Sequence, residues 1–371
     1  MQAIIMCAGK GVRMHPLTIN TPKPLLKVGN MPILSYMLEQ FEGLVDEVIV
    51  IVGYKKDQIQ AAYKSYDKIK LTFVEQKEQL GTGHALMIAK EHITDDFFIL
   101  NGDDLYAKDD MKKLLAHDQA VLVFKHLEPQ RFGIYEFREA NGKRVATSIV
   151  EKPKNPKSNL INIGCYKFKK EVFNYKIKKS PRGEYELTDF VGALIKDGKN
   201  VILEQAEKRI PLGYPWDMLK GNAALLDDQS AKIEGDVEQN VMIKGNVQIG
   251  KGTIVKAGTY IEGPVRIGTG CIIGPNAYLR PSTTIGNDCK IGFEVEIKNS
   301  IIGERTCIPH LAYIGDSVIG NDVNFAAGCV TANYRFDAGR IRSSVNGELV
   351  DIGTNKFGTI LGDNVKLGVR T

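Results

Sequence analysis

Residues 243–279 read IKGNVQ-IGKGTI-VKAGTY-IEGPVR-IGTGCI-IGPNAY-L, with an aliphatic residue opening every block of six. The period runs from Val237 to Ile297 without a slip. It resumes after a one-residue deletion at Ile302, Ile308 and Ile314, then shifts once more to Ile319 and Phe325. Helices repeat every 3.6 residues and strands every two, so neither explains a period of six. A hexapeptide β-helix does. Each block is a short strand and a turn, its aliphatic residue points inward, three blocks close one coil, and coils stack at the ~4.8 Å strand spacing. Glycine follows many of the aliphatic positions, as at Ile249-Gly250 and Ile267-Gly268.

Upstream, over residues 1–228, short apolar runs alternate with helical patterns. Ala3–Met6, Glu47–Gly53, Leu71–Val74, Phe97–Leu100 and Val121–Phe124 read as buried strands. Pro32 suits a helix first turn, with Ile33, Met37, Phe41 and Leu44 on one face, and Thr82–Ile93 forms another helix. The expectation is an α/β Rossmann-like domain with a mostly parallel sheet, helices on both faces, and ligands at the carboxyl ends of the strands.

Strand one runs into CAGKGVRMHPLTINTPKPLL, residues 7–26. Ala8, Gly9 and Gly11 form a turn whose amides can face phosphate oxygens. Arg13 adds a permanent fork of donors, and Lys23, between two prolines, adds a point charge. A dinucleotide fingerprint would need a glycine where Met14 stands, and a P-loop would need Gly-Lys-Ser/Thr. Two carboxylates complete the set: Asp103 in FFILNGDD and Asp217 in GYPWDM. Two carboxylates and a triphosphate suit one Mg²⁺, a hard ion that takes oxygen ligands. Asp217 read alone is better explained as a helix cap.

The chain has 371 residues, room for two ordinary cores. Its net charge of +5, with 25% charged and 43% apolar residues, suggests no nucleic-acid patch. No apolar run approaches a membrane span, and strand one starts too near Met1 for a signal peptide, so the expected location is cytoplasmic. Six cysteines without a C-x-x-C pair suggest neither zinc nor a dithiol site, and are expected to be buried hydrophobes.

The segment G-x-G-x-R-x-x-P-L-T with P-K-P-L resembles the sugar-1-phosphate nucleotidyltransferase signature. Over nearly its whole length the chain resembles bifunctional UDP-N-acetylglucosamine diphosphorylase / glucosamine-1-phosphate N-acetyltransferases of a shorter, archaeal type. The resemblance implies UTP, or dTTP, and a sugar-1-phosphate as substrates, with Arg13 and Lys23 at the leaving pyrophosphate and Asp103 and Asp217 on the metal. It implies base recognition by Gln76, Gly81 and Thr82, and sugar-phosphate recognition by Gly133, Glu151, Lys152 and Asn162. A Trp-Asp arrangement stands where bacterial members carry an asparagine. The left hand of the β-helix and a homotrimer built through it also come from the resemblance.

The same resemblance carries a second site, with His310 as catalytic base, Arg280 and Lys298 at the sugar phosphate, and Tyr313, Asn324, Asn333 and Tyr334 around the sugar. Acetyl-CoA is its implied co-substrate. Histidine suits the role because its pKa lies near neutrality. After Tyr334 an insertion-like stretch, Arg335–Thr354, interrupts the likeness, and the chain stops at Thr371 inside a repeat. From that ending we expect weak or absent acetylation beside robust uridylyl transfer. Two alternatives stay open: a glucose-1-phosphate thymidylyl- or uridylyltransferase with a structural β-helix, and a non-catalytic regulatory subunit. Members of the latter class tend to lose the cations and carboxylates retained here at Arg13, Lys23, Asp103 and Asp217.

Overall fold

The structure, a computed structural model, describes all residues from Met1 to Thr371. Two compact units divide it, each assembled from separate stretches of chain. The first comprises Met1–Lys10, Pro22–Leu25 and Ile33–Ile210, and the second Gly11–Thr21, Leu26–Pro32 and Pro211–Thr371.

The first unit is built on a nine-stranded sheet. Its strands are β1 (Gln2–Cys7), β2 (Glu47–Val52), β3 (Lys70–Glu75), β4 (Phe97–Asn101), β5 (Ala120–Lys125), β6 (Gly133–Ala140), β7 (Lys143–Glu151), β8 (Leu160–Phe168) and β9 (Ile202–Gln205). They lie in the order β3-β2-β1-β4-β8-β5-β9-β7-β6. β3, β2, β1 and β4 are parallel, as the alternating pattern predicts. The expectation of a mostly parallel sheet needs correction beyond β4. There β8 runs antiparallel to both β4 and β5, and β6 pairs antiparallel with β7. For β6 and β7 the reason is local. Asn141 and Gly142, both at positive φ, join β6 to β7, and so short a turn permits only an antiparallel hairpin.

Side chains alternate across this sheet. Ile4, Ile49, Ile51, Phe97 and Ile99 join one core with α3 (Thr82–Ala89) and α5 (Leu187–Lys196). Phe98 meets Phe41 of α1 (Ile33–Phe41), the ring centroids 5.7 Å apart. Helices therefore cover both faces. Two further short helices are α2 (Lys56–Ala62) and α4 (Lys108–Leu114). Pro32 lies just before α1, in a two-residue strand, and the helix foreseen over Thr82–Ile93 ends at Ala89 with a 3-10 turn, Lys90–His92.

In the second unit, α6 (Asp217–Asp227) precedes a chain that visits three parallel sheets in turn. Ile249 pairs with Ile267, Ile267 with Ile285, Ile285 with Ile302, and Ile302 with Ile319, so every rung shifts by 18 or, after the deletion, 17 residues. The hexad residues from Ile249 to Phe325 fill the interior. Val237 is the exception at 38% exposure, since the first coil has no rung beneath it. The glycine after the aliphatic residue is required by stacking: a Cβ on Gly268 would lie 2.7 Å from the Gly286 carbonyl carbon of the next rung. Of the six cysteines, five are buried and Cys307 is half-buried, short of the expected full burial.

The Arg335–Thr354 insertion contains an antiparallel hairpin, Arg342–Val345 with Glu348–Asp351, turning on Asn346-Gly347 at positive φ. The coil then resumes in register, Ile319 against Leu361 and Phe325 against Leu367. No helix is long and apolar enough to cross a membrane.

Candidate functional site

In the first unit the carboxyl end of β1 delivers Ala8 and Gly9 beside the turn after β4. Gly9 does not have a positive φ, and a Cβ placed on it would meet nothing within 4 Å. Neither backbone conformation nor internal packing therefore requires glycine there. The Ala8 carbonyl accepts from Tyr54 N at 3.0 Å and from Gln79 Nε2 at 2.9 Å, tying the loop to the segment after β3.

Asp103 stands where β4 turns, and its Oδ2 takes the Lys23 ammonium at 2.9 Å. The Lys23 side chain is only 11% exposed, the Asp103 side chain 35%. Burying an ammonium is tolerated when an ionised carboxylate meets it. Cys7, at the end of β1, is no rival nucleophile, because burial pushes its thiol far above the ordinary range. Next door, Asp104 is buried against Arg209, Nε to Oδ2 2.9 Å. Burial pushes the Asp104 carboxyl up to about 6, against the opposing pull of Arg209. The sequence reading missed this pair, whose partners lie far apart in the chain. It also missed Asn101 and Gly164: a Cβ on Gly164 would lie 2.0 Å from Asn101 Nδ2.

Gln76 is buried, its Nε2 donating to the Gly81 carbonyl at 3.1 Å and facing His84 Nδ1 at 3.0 Å. Those contacts engage the amide nitrogen and fix the side chain's orientation. Gly81 has φ +102, and a Cβ there would meet the Tyr185 carbonyl at 2.4 Å. Thr82 has structural work, its hydroxyl accepting Leu187 N at 3.0 Å at the start of α5.

Gly133, Glu151 and Asn162 come together although they lie on three strands. Gly133 pairs with Glu151, and a Cβ on Gly133 would lie 2.8 Å from Glu151 Oε2 and 3.7 Å from Asn162 Cβ. Asn162 donates to Tyr166 OH at 2.6 Å and accepts Gly164 N at 3.1 Å, which fixes its side chain. Lys152 follows, exposed and at φ 44.

The second unit contains Gly11, Arg13 and Asp217. Gly11 takes a left-handed conformation, φ 63, and its carbonyl accepts Thr18 Oγ1 and Met14 N, each at 2.8 Å. Arg13 lies over the Tyr214 ring, 5.3 Å from its centroid. Asp217 opens α6, and its Oδ2 accepts the Tyr214 N–H at 2.8 Å, which is the helix-start role that its sequence context also allowed. A Cβ on Gly213 would lie 3.5 Å from Asp217 Oδ2 and 3.9 Å from Arg13 Nη1, so the carboxylate and the guanidinium flank one glycine.

No three His, Cys, Asp or Glu side chains gather in a metal-holding group. Asp103 and Asp217 each carry carboxylate oxygens, the donor type that a hard ion such as Mg²⁺ takes.

On the coil, Arg280 pairs with Glu296 at 2.8 Å, and Lys298 approaches Asp316 at 3.8 Å. Asn333 Nδ2 reaches Tyr313 OH at 3.1 Å and Asp316 Oδ2 at 2.5 Å. These residues form one network along the sheet that carries Glu296–Lys298 and Tyr313–Gly315. His310 is exposed on the neighbouring sheet, beside Phe293, and Asn324 lies on that sheet too. Tyr334 is half exposed and bridges to Lys356.

A nine-stranded α/β sheet whose first strand ends in the Ala8-Gly9 loop places the first unit among α/β folds that take ligands at their strand ends. Residues 2–224 match the family described as Nucleotidyl transferase, and residues 261–370 match the GMPPB C-terminal domain. The chain is 44% identical to the bifunctional protein GlmU of Methanocaldococcus jannaschii, over 100% of this chain and 90% of that protein. It is 37% identical to a bifunctional sugar-1-phosphate nucleotidylyltransferase/acetyltransferase of Sulfurisphaera tokodaii, over 100% of this chain and 92% of that one. A UDP-glucose pyrophosphorylase solved with UDP-glucose shares the fold, with TM-score 0.56, 23% identity, and coverage of 62% of this chain and 99% of that one. The chain belongs to the nucleotidyl transferase family, among the bifunctional GlmU proteins, and is a nucleotidyltransferase.

Proposed function

We propose that the chain transfers uridylyl from UTP to N-acetylglucosamine-1-phosphate, releasing pyrophosphate. A sugar-phosphate oxygen attacks the α-phosphorus as the bond to pyrophosphate breaks, so the protein's task is positioning and charge neutralisation. Arg13 and Lys23 stabilise the leaving pyrophosphate. Asp103 and Asp217 are the proposed Mg²⁺ ligands, on the strength of the sequence resemblance. The ion, when bound, neutralises triphosphate charge. Ala8, Gly9 and Gly11 meet the phosphates, Gln76, Gly81 and Thr82 the base, and Gly133, Glu151, Lys152 and Asn162 the sugar phosphate. The observation that carries the reading is the Lys23–Asp103 ion pair, which holds the signature cation and the strand-end carboxylate 2.9 Å apart. Pyrophosphate release across a panel of nucleotides and sugar phosphates, with and without Mg²⁺, tests it. Equal use of all four nucleotides overturns the base assignment, and release without a sugar phosphate overturns the reaction.

The functional division is residues 1–228 for nucleotidyl transfer and 229–371 for a left-handed parallel β-helix. The second proposed activity is N-acetylation of glucosamine-1-phosphate. The amine attacks the acetyl-CoA thioester carbonyl, the carbon–sulfur bond breaks, and His310 accepts the amine proton. Arg280 and Lys298 are assigned to the sugar phosphate by the sequence resemblance; in the structure they are held by Glu296 and Asp316, which orient them. Thiol release from acetyl-CoA measures this activity.

A further inference from the structure

The second unit contains an aromatic column beneath Arg13. The Tyr214 ring lies under Arg13, 5.3 Å from its guanidinium carbon. Trp216 stacks on Tyr214 with centroids 4.7 Å apart and planes at 7°. Phe357 meets Trp216 edge-on, at 6.3 Å and 83°. Trp216 and Phe357 are nearly buried, at 6% and 7% exposure. Phe357 lies where the coil resumes after the hairpin, its N–H donating to Asn333 O at 2.9 Å.

Each contact limits the freedom of the next. Arginine has several rotatable bonds and reaches a defined position only when something fixes its plane. An aromatic face does so through the ring quadrupole. That face is useful only if the ring itself cannot turn, and stacked and edge-on aromatic neighbours at 4.5–7 Å are favourable geometries that hold it. Tyr214 also spans the site by its backbone, donating its N–H to Asp217 Oδ2 at 2.8 Å. A shift of Tyr214 would move both Arg13 and Asp217.

We propose that Phe357 is a positioning residue for nucleotidyl transfer, acting through the Trp216–Tyr214 stack to hold Arg13 over its target. The inference rests on the reading that Arg13 serves that reaction. It assigns the post-hairpin segment of the coil a role in the first activity.

Trp216 is the chain's single tryptophan, so its emission reports this packing directly. In the full-length chain, Phe357→Ala should shift Trp216 emission to the red and lower kcat for pyrophosphate release on the order of tenfold, because misplaced catalytic groups act on the chemical step. KM for the sugar phosphate should stay within about twofold, since the sugar contacts are elsewhere. Phe357→Tyr keeps the ring and should recover most of kcat. Phe357→Ala in an Arg13→Ala background should cost little more than Arg13→Ala alone, as for residues acting through one another. A folded Phe357→Ala with wild-type kcat, or losses that multiply fully in the double variant, overturns the proposal. If Phe357→Ala does not fold, Phe357→Leu, which retains apolar volume without a ring, is judged by the same criteria. Arg13→Ala at wild-type rate would overturn the functional reading itself and this proposal with it. A slow Arg13→Ala beside fully active Phe357 variants overturns this inference alone.

Discussion

Lys23 and Asp103 form a pair whose members have separate proposed jobs but one shared environment. Removing the carboxylate outright strands an almost buried ammonium, so Asp103→Ala mixes a stability effect with a catalytic one. Asp103→Asn preserves shape and an acceptor. We expect it to retain native circular dichroism and lose pyrophosphate release by on the order of a hundredfold or more; near wild-type turnover at limiting Mg²⁺ would remove Asp103 from the metal site. Asp217 allows a sharper separation. As a helix-start acceptor alone, its loss costs about 1 kcal/mol, and Asp217→Asn would keep both the bond and the activity. As a metal ligand, Asp217→Asn leaves stability nearly intact and stops turnover, which is the outcome expected. At Gln76, whose amide is oriented by Gly81 and His84, Gln76→Leu should cut the preference for UTP over ATP by at least about tenfold. An unchanged ratio in nucleotide-competition assays would show that base choice is made elsewhere.

At the scale of elements, the Leu26–Pro32 segment is held to the coil within the second unit. Asn30 Nδ2 donates to Ile285 O at 2.7 Å, Gly29 N to Asn222 Oδ1 at 2.9 Å, and Lys27 pairs with Glu304. Burial would raise the Glu304 carboxyl, but the Lys27 ammonium overcomes that and holds it below its ordinary value of 4.5. The sign follows from proton uptake. A depressed folded pKa means the unfolded chain binds the proton first as pH falls. The pair's contribution is complete above the ordinary carboxylate value and is lost as pH drops through the lower folded one. We expect the unfolding midpoint of Lys27→Met to fall less steeply than wild type over that acid range, with the difference between the two largest near neutrality. Parallel curves would mean that the pair carries no net stability. Legibility differed between elements for physical reasons. Asn141-Gly142 and Asn346-Gly347 close hairpins that the sequence reading did not name, although a two-residue turn at positive φ favours these residues. The place of β7 beside β9 was not legible either, since register depends on partners distant in sequence.

For the whole molecule, the proposed homotrimer predicts a light-scattering mass of three chains at micromolar concentration; one chain's mass would refute it. Half-exposed Ile254 and Ile272, each 38% accessible on successive rungs, are the apolar outer surface such packing would cover. The second activity is tested at this scale too. Thiol release from acetyl-CoA that depends on glucosamine-1-phosphate should vanish in His310→Ala, and release that survives would take the base role from His310.

Periodicity alone determined the coil, because a six-residue repeat has one stacking solution and each inward Ile or Val reads out its own position. The loop after β1 was legible for a similar reason: its glycines and cations are local, and their chemistry does not depend on what lies far away. Tertiary structure decided the rest. It set β8 antiparallel in a sheet that begins parallel, paired Asp104 with Arg209, and drew Gly133, Glu151 and Asn162 from three strands to one spot. It also placed Phe357 against Trp216. Contacts between residues a hundred positions apart follow from how elements pack, and no local pattern of side chains encodes that packing.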